Sequence, residues 1–163
     1  MVAVGRAQSL QVTPLAKDGR ILVTLRMNDV FTDEVREAMH SGLRISFVYD
    51  VELKRATALW VDRTIATTTV TATVEYDILT RRYLATRHED GRFDRAETIE
   101  REDSARVWLT EFDKLPLFKT SSLELNGEYY LRVRAHTTPR NNTSFVWPWE
   151  GGIAGLAKFT YLR

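Results

Sequence analysis

From Leu43 to Leu53 every odd-numbered position is apolar or aromatic: Leu43, Ile45, Phe47, Tyr49, Val51 and Leu53. Between them stand Arg44, Ser46, Val48, Asp50 and Glu52, polar except for Val48. Side chains of an extended chain point alternately to opposite faces, so this pattern is that of a strand with one face on a core and one in water. Fully extended it would reach ~36 Å at about 3.3 Å per residue. A strand this long needs paired neighbours, and a clean half-buried alternation places it in an antiparallel sheet.

Other stretches repeat the pattern. Leu10, Val12 and Leu15 precede Lys17-Asp18-Gly19-Arg20, where glycine permits a tight turn, and Ile21, Val23, Leu25 and Met27 follow, which reads as a hairpin. Thr64 to Ile78 alternates Val70, Ala72, Val74, Tyr76 and Ile78 with threonines, whose β-branched side chains suit a pleated surface. Glu89-Asp90-Gly91-Arg92 reads as another hairpin turn. Tyr129, Leu131, Val133 and Ala135 share one face of a late strand, and Ile153, Gly155, Ala157, Phe159 and Tyr161 alternate in a closing one.

Two helices interrupt the strands. Thr32 or Asp33 caps a short one, Asp33 to His40, with Val35, Ala38 and Met39 on its apolar face and Gly42 just beyond it. From Glu97 the period changes: Ala105, Trp108, Leu109, Phe112 and Leu115 recur at helical spacing. This predicts a longer helix from Asp103 to Leu115, stopped by Pro116. The expected fold is mainly β: an antiparallel β-sandwich, immunoglobulin-like or a partly open barrel, with one short and one longer α-helix. The longer helix would lie over the sheet or across an open end. Residues 10–163 read as a single domain. Residues 1–9 read either as the remnant of a signal peptide cleaved near Ala7 or as a flexible N-terminus.

Composition narrows the function classes. A formal net charge of +1 lacks the basic excess of a phosphate-neutralising nucleic-acid binder. No cysteine is present, which removes disulfides, thiolate nucleophiles and cysteine-based metal centres. No apolar run approaches the ~18 residues of a membrane-spanning helix. His40, His88 and His136 have no metal-ligand spacing, and solvated surface positions are the plainer account. Asp50 and Glu52 share a strand face at about 7 Å, a separation that serves glycosidases, but cross-strand pairing with Arg132 or Arg134 accounts for them better. No G-x-S-x-G elbow and no glycine-rich nucleotide cradle occurs. The sequence therefore offers no catalytic, cofactor or metal site.

It does offer a candidate interaction surface. Tyr130, Arg132, Arg134 and His136 form an aromatic and basic row on the outer face of the late strand, suited to an acidic partner. The plainer account is a solvated face neutralised by Asp50, Glu52, Glu75 and Asp77. Trp147 and Trp149 lie in the most aromatic stretch, either as an exposed recognition patch or as a plug at the edge of the sandwich.

Several segments taken together resemble the DUF4390 family of exported proteins from Gram-negative bacteria. They are Phe31-Thr32-Asp33-Glu34-Val35, Ser41-Gly42-Leu43, Tyr49 to Leu53, Trp60-Val61-Asp62-Arg63, Tyr76 to Tyr83, Tyr129 to Arg134, and Trp147-Pro148-Trp149 to Phe159. The closing segment here is longer and richer in glycine than in many members. The resemblance implies a periplasmic or otherwise exported protein with a processed leader. It also implies a signalling context, since members are often encoded beside membrane sensor kinases of the nitrogen-regulation type. It carries over no activity and no catalytic residue. The expected function is a non-enzymatic periplasmic or envelope protein that binds another protein. The alternative is a carrier of a small apolar or amphipathic ligand inside a barrel-like pocket.

Overall fold

The opening hairpin forms where its turn chemistry places it. Strands β1 (Ser9–Lys17) and β2 (Arg20–Asn28) pair antiparallel from Ser9↔Asn28 to Lys17↔Arg20. Asp18 and Gly19 both take positive φ, 51° and 74°, as a two-residue turn matched to strand twist requires. The structure is a computed structural model that describes residues 9–57, 61–137 and 152–162.

Helix α1 (Asp33–His40) starts at Thr32, whose hydroxyl oxygen accepts from the Val35 N–H at 3.4 Å. It ends in a glycine cap: Gly42 has φ 86°, its N–H bonds to Met39 O, and the Leu43 N–H reaches back to Ala38 O. Leu43, expected as the first residue of the long strand, therefore belongs to the helix cap and is exposed, and β3 (Ile45–Arg55) begins two positions later.

Strand β3 lies near the middle of a six-stranded antiparallel sheet. Its neighbours are β4 (Arg63–Asp77) and β8 (Glu128–Thr137); β5 (Arg82–Glu89) and β6 (Arg92–Ile99) continue beyond β4, and β9 (Ile153–Thr160) lies beyond β8. The second sheet has β2 between β1 and β7 (Glu111–Lys119). Ile21, Val23 and Leu25 face Phe47, Tyr49, Val51, Leu131 and Val133 in one core cluster between the layers, all essentially without exposure.

Two features close the sides of this sandwich. Strand β1 contacts β9 at one side, and helix α2 (Glu102–Thr110) contacts β2, β4 and β5 at the other. Gly155 makes the first contact possible: a Cβ there would stand 2.8 Å from Leu10 O and 2.8 Å from Val12 Cγ2. On the other side Ala105 and Leu109 are fully buried, and Trp108 Nε1 donates to Thr86 O on β5 at 3.1 Å.

The longer helix is shorter than its sequence predicts. Its start at Glu102 is one residue before the expected Asp103, although the change of period at Glu97 falls within β6, which continues as strand to Ile99. The helix stops at Thr110, and Phe112, Leu115 and Pro116 all lie on β7. Register shifts at Ile21/Leu22 and at Val23/Leu25 insert extra residues into β7. Phe112, Leu115 and Phe118 thereby oppose Leu25, Val23 and Ile21, three apart in sequence yet all buried. Lys114 supplies one bulge with φ 47°, and its N–H donates to Thr24 Oγ1 at 3.1 Å. Pro116 is accommodated because β7 is an edge strand.

Candidate interaction surface

The face of the larger sheet that points away from the core is set by register. On β3 and β8 the opposed pairs are Val48↔His136, Asp50↔Arg134, Glu52↔Arg132 and Lys54↔Tyr130. On the other side of β3, Asp50 and Glu52 oppose Thr69 and Thr67 of β4. The row expected from parity is therefore present, with its carboxylates one strand away. Asp50, Glu52, Thr67, Thr69, Arg132 and Arg134 line a depression of about 430 Å³.

Charge pairing across this face is uneven. Arg132 Nε stands 4.0 Å from Glu52 Oε2, both about half exposed, so the pair contributes little. Asp50 is opposite Arg134 in register, yet the basic side chain nearest its carboxylate is His136, with Nδ1 at 3.4 Å, while Thr69 Oγ1 donates to it at 2.9 Å. Arg134 makes no ion pair among the described residues. Glu75 and Asp77, expected to help neutralise the row, are engaged elsewhere. Glu75 binds Arg44 at 2.9 Å, and Asp77 Oδ1 accepts from the Leu79 and Thr80 N–H groups at 2.9 and 3.3 Å.

Tyr130 ends the row in a hydrogen bond that sequence reasoning missed. Its hydroxyl donates to Asp62 Oδ2 at 2.7 Å, and Asp62 Oδ1 accepts from the Thr57 N–H at 3.2 Å. The Tyr130 hydrogen bond, and after it the Thr57 N–H, hold the Asp62 carboxyl below the usual aspartate range. The same bond raises the Tyr130 phenol. Asp62 lies in the Trp60-Val61-Asp62-Arg63 segment that carries the family resemblance, but nothing in the sequence points to its bond with Tyr130. Trp147 and Trp149 lie outside the described residues, as does Trp60.

The three histidines occupy separate places. His40 sits at the end of α1, with Nε2 2.9 Å from the Tyr83 hydroxyl and its ring edge-on to Tyr76 at 5.1 Å. His88 is edge-on to Phe93, and His136 is beside Asp50. Among the described residues no three of His, Asp and Glu gather as a metal ligand set.

Two further clusters were not legible in the sequence. Glu102 at the start of α2 joins α1 through Arg36 Nε at 2.7 Å and faces His40 Nε2 at 3.8 Å. Its Oε1 is buried and lacks an aligned hydrogen bond among the described residues, so the contact with Arg36 is purely ionic. Arg87, Glu97, Asp103 and Trp108 line a depression of about 280 Å³ between α2 and β5–β6.

Fold and surface together define a two-sheet antiparallel β-sandwich whose larger sheet keeps one face polar and, among the described residues, uncovered. The chain belongs to the family described as domain of unknown function DUF4390, whose model matches residues 6–140, from before β1 to beyond β8. Comparison with curated proteins and with solved structures finds no match.

Proposed function

We propose that this chain is a non-enzymatic, exported envelope protein that binds another protein through the outer face of β8. The observation that carries the reading is Arg134. It is an exposed guanidinium without an ion-pair partner among the described residues, next to Arg132, whose own pair is stretched to 4.0 Å. A guanidinium presents donors in a fixed fork that matches a carboxylate, so two adjacent forks on an open face suit an acidic patch of a partner. Export and a place in envelope signalling rest on the family. Between the sheets, Phe47, Tyr49, Leu53, Tyr129 and Leu131 are fully buried, which is why protein binding stands ahead of the carriage of a small apolar ligand.

The test is a pull-down with the purified chain against solubilised envelope from its own bacterium, beside an Arg132→Glu/Arg134→Glu variant of verified stability. The expected result is a specific protein retained by the wild type and lost from the variant. A partner retained equally by both would remove the β8 face from the reading. A small molecule co-purifying in native mass spectrometry, with no protein retained, would favour the carrier.

A further inference from the structure

The hairpin between β4 and β5 exposes two large aliphatic side chains on a turn that is held rigid. Ile78 is 60% exposed and Leu79 93% exposed. Asp77 fixes the turn from both of its ends: its side chain accepts the Leu79 and Thr80 N–H groups, and its carbonyl accepts the Arg81 N–H at 2.8 Å. Arg81 adopts φ 56° to complete it. Ile78 leans on the cap of α1, where a Cβ at Gly42 would stand 3.5 Å from Ile78 Cδ1. Leu43, the next residue, and Leu84, two positions beyond Arg82 on β5, are exposed at the same end of the sandwich.

Arginines collar these aliphatic residues. Arg44 and Arg82 are mostly exposed and tied only to the surface carboxylates Glu75 and Glu100, at 2.9 and 3.5 Å. Arg81 makes no ion pair among the described residues. A protein-protein interface needs a broad patch, about 800 Å² on each partner. A protruding two-residue tip is too narrow for that, whereas it can enter the boundary between acyl chains and headgroups while the arginines stay among anionic phosphates.

We propose that the β4–β5 tip is a membrane-docking element that places Ile78 and Leu79 in the interfacial layer of an anionic bilayer. The interaction is weak and reversible, and it uses a surface separate from the β8 face, so either assignment can fail without the other.

The chain contains no cysteine, so Thr80→Cys gives a single site for an environment-sensitive fluorophore beside the tip. The probes are vesicles of phosphatidylethanolamine with and without phosphatidylglycerol, read by flotation and by the emission of the label. Expected are flotation with the anionic vesicles and a blue shift of the label. An Ile78→Ser/Leu79→Ser variant should bind about tenfold more weakly or worse, from the lost aliphatic burial. Arg81→Ser should bind about fivefold more weakly, with a smaller salt dependence. All these positions are exposed, so thermal unfolding of each variant should match the wild type. Absence of flotation with anionic vesicles would overturn the proposal. So would binding that the double serine variant leaves unchanged, since that would be charge attraction without insertion.

Discussion

The Tyr49 hydroxyl, fully buried on β3, donates to the Leu109 carbonyl oxygen in the last turn of α2. A helix leaves its final carbonyls without internal partners, and this tyrosine satisfies one of them inside the core. Its ring also meets Phe112 of β7 edge-on, with centroids 5.0 Å apart. One side chain thus ties both sheets to the helix that closes their side.

Tyr49→Phe should destabilise the fold by about 1–3 kcal/mol, because it leaves the buried carbonyl unpaired. Chemical denaturation should show a lower midpoint with an unchanged slope. Burial also pushes the Tyr49 phenol well above its ordinary range. The folded state therefore keeps a proton that the unfolded chain releases above about pH 10. Stability from this group is complete below that pH and falls as pH rises beyond it. The alkaline loss should be shallower in Tyr49→Phe, as a pH series of denaturation midpoints would show.

The Asp62 carboxyl should titrate below ordinary aspartates in the wild type, and its pKa should move back toward them in Tyr130→Phe. A group with a lowered folded pKa stabilises above the unfolded value, near pH 4, and loses that contribution as pH falls through the folded one. Carbon-13 NMR of the side-chain carboxyl checks the shift directly. If Asp62 titrates identically in both proteins, the hydrogen bond is not its cause.

Gly155→Ala should cost about 1–3 kcal/mol, since the added methyl must push β1 away from β9. Amide exchange should rise along Ser9 to Val12 more than in β3. Uniform exchange changes would mean that the two strands do not rely on this close approach.

Lys114→Gly should stabilise the protein by about 0.5–1 kcal/mol, because left-handed backbone costs a side-chain-bearing residue roughly 1–2 kcal/mol and glycine loses part of that in entropy. The melting temperature should rise by about 2 °C. Lys114→Val should lower it. A fall with glycine would show that the bulge is not strained at this residue.

The strands could be read in advance because alternation survives wherever a strand runs regularly against its neighbours, as Ile45 to Leu53 does between β4 and β8. Strand β7 was not legible for the opposite reason. Its two bulges space Phe112, Leu115 and Phe118 as a helix would, and an edge position lets Pro116 pass as strand where it reads as a helix stop. The β8 row followed from parity alone. Its pairing did not, because parity says which side chains share a face and not which neighbour each one chooses. Asp50 turned to His136, and Tyr130 to an aspartate 68 residues earlier in the chain. At the β4–β5 tip Ile78 continues the apolar alternation of Val70 to Tyr76 and reads as part of the strand, whereas β4 ends at Asp77 and both Ile78 and Leu79 are exposed.

The seam where β1 crosses β9 has a consequence for the order of events in folding. The earliest and the latest described strands must meet there before that side of the core is sealed. Strand β2 likewise waits for β7, and β3 for β8. Five of the seven strand pairings join consecutive strands, but β2–β7, β3–β8 and the β1–β9 contact link distant parts of the chain, which raises the contact order and puts folding in the millisecond-to-second class. That side of the core therefore stays open in the nascent chain until β9 has been made.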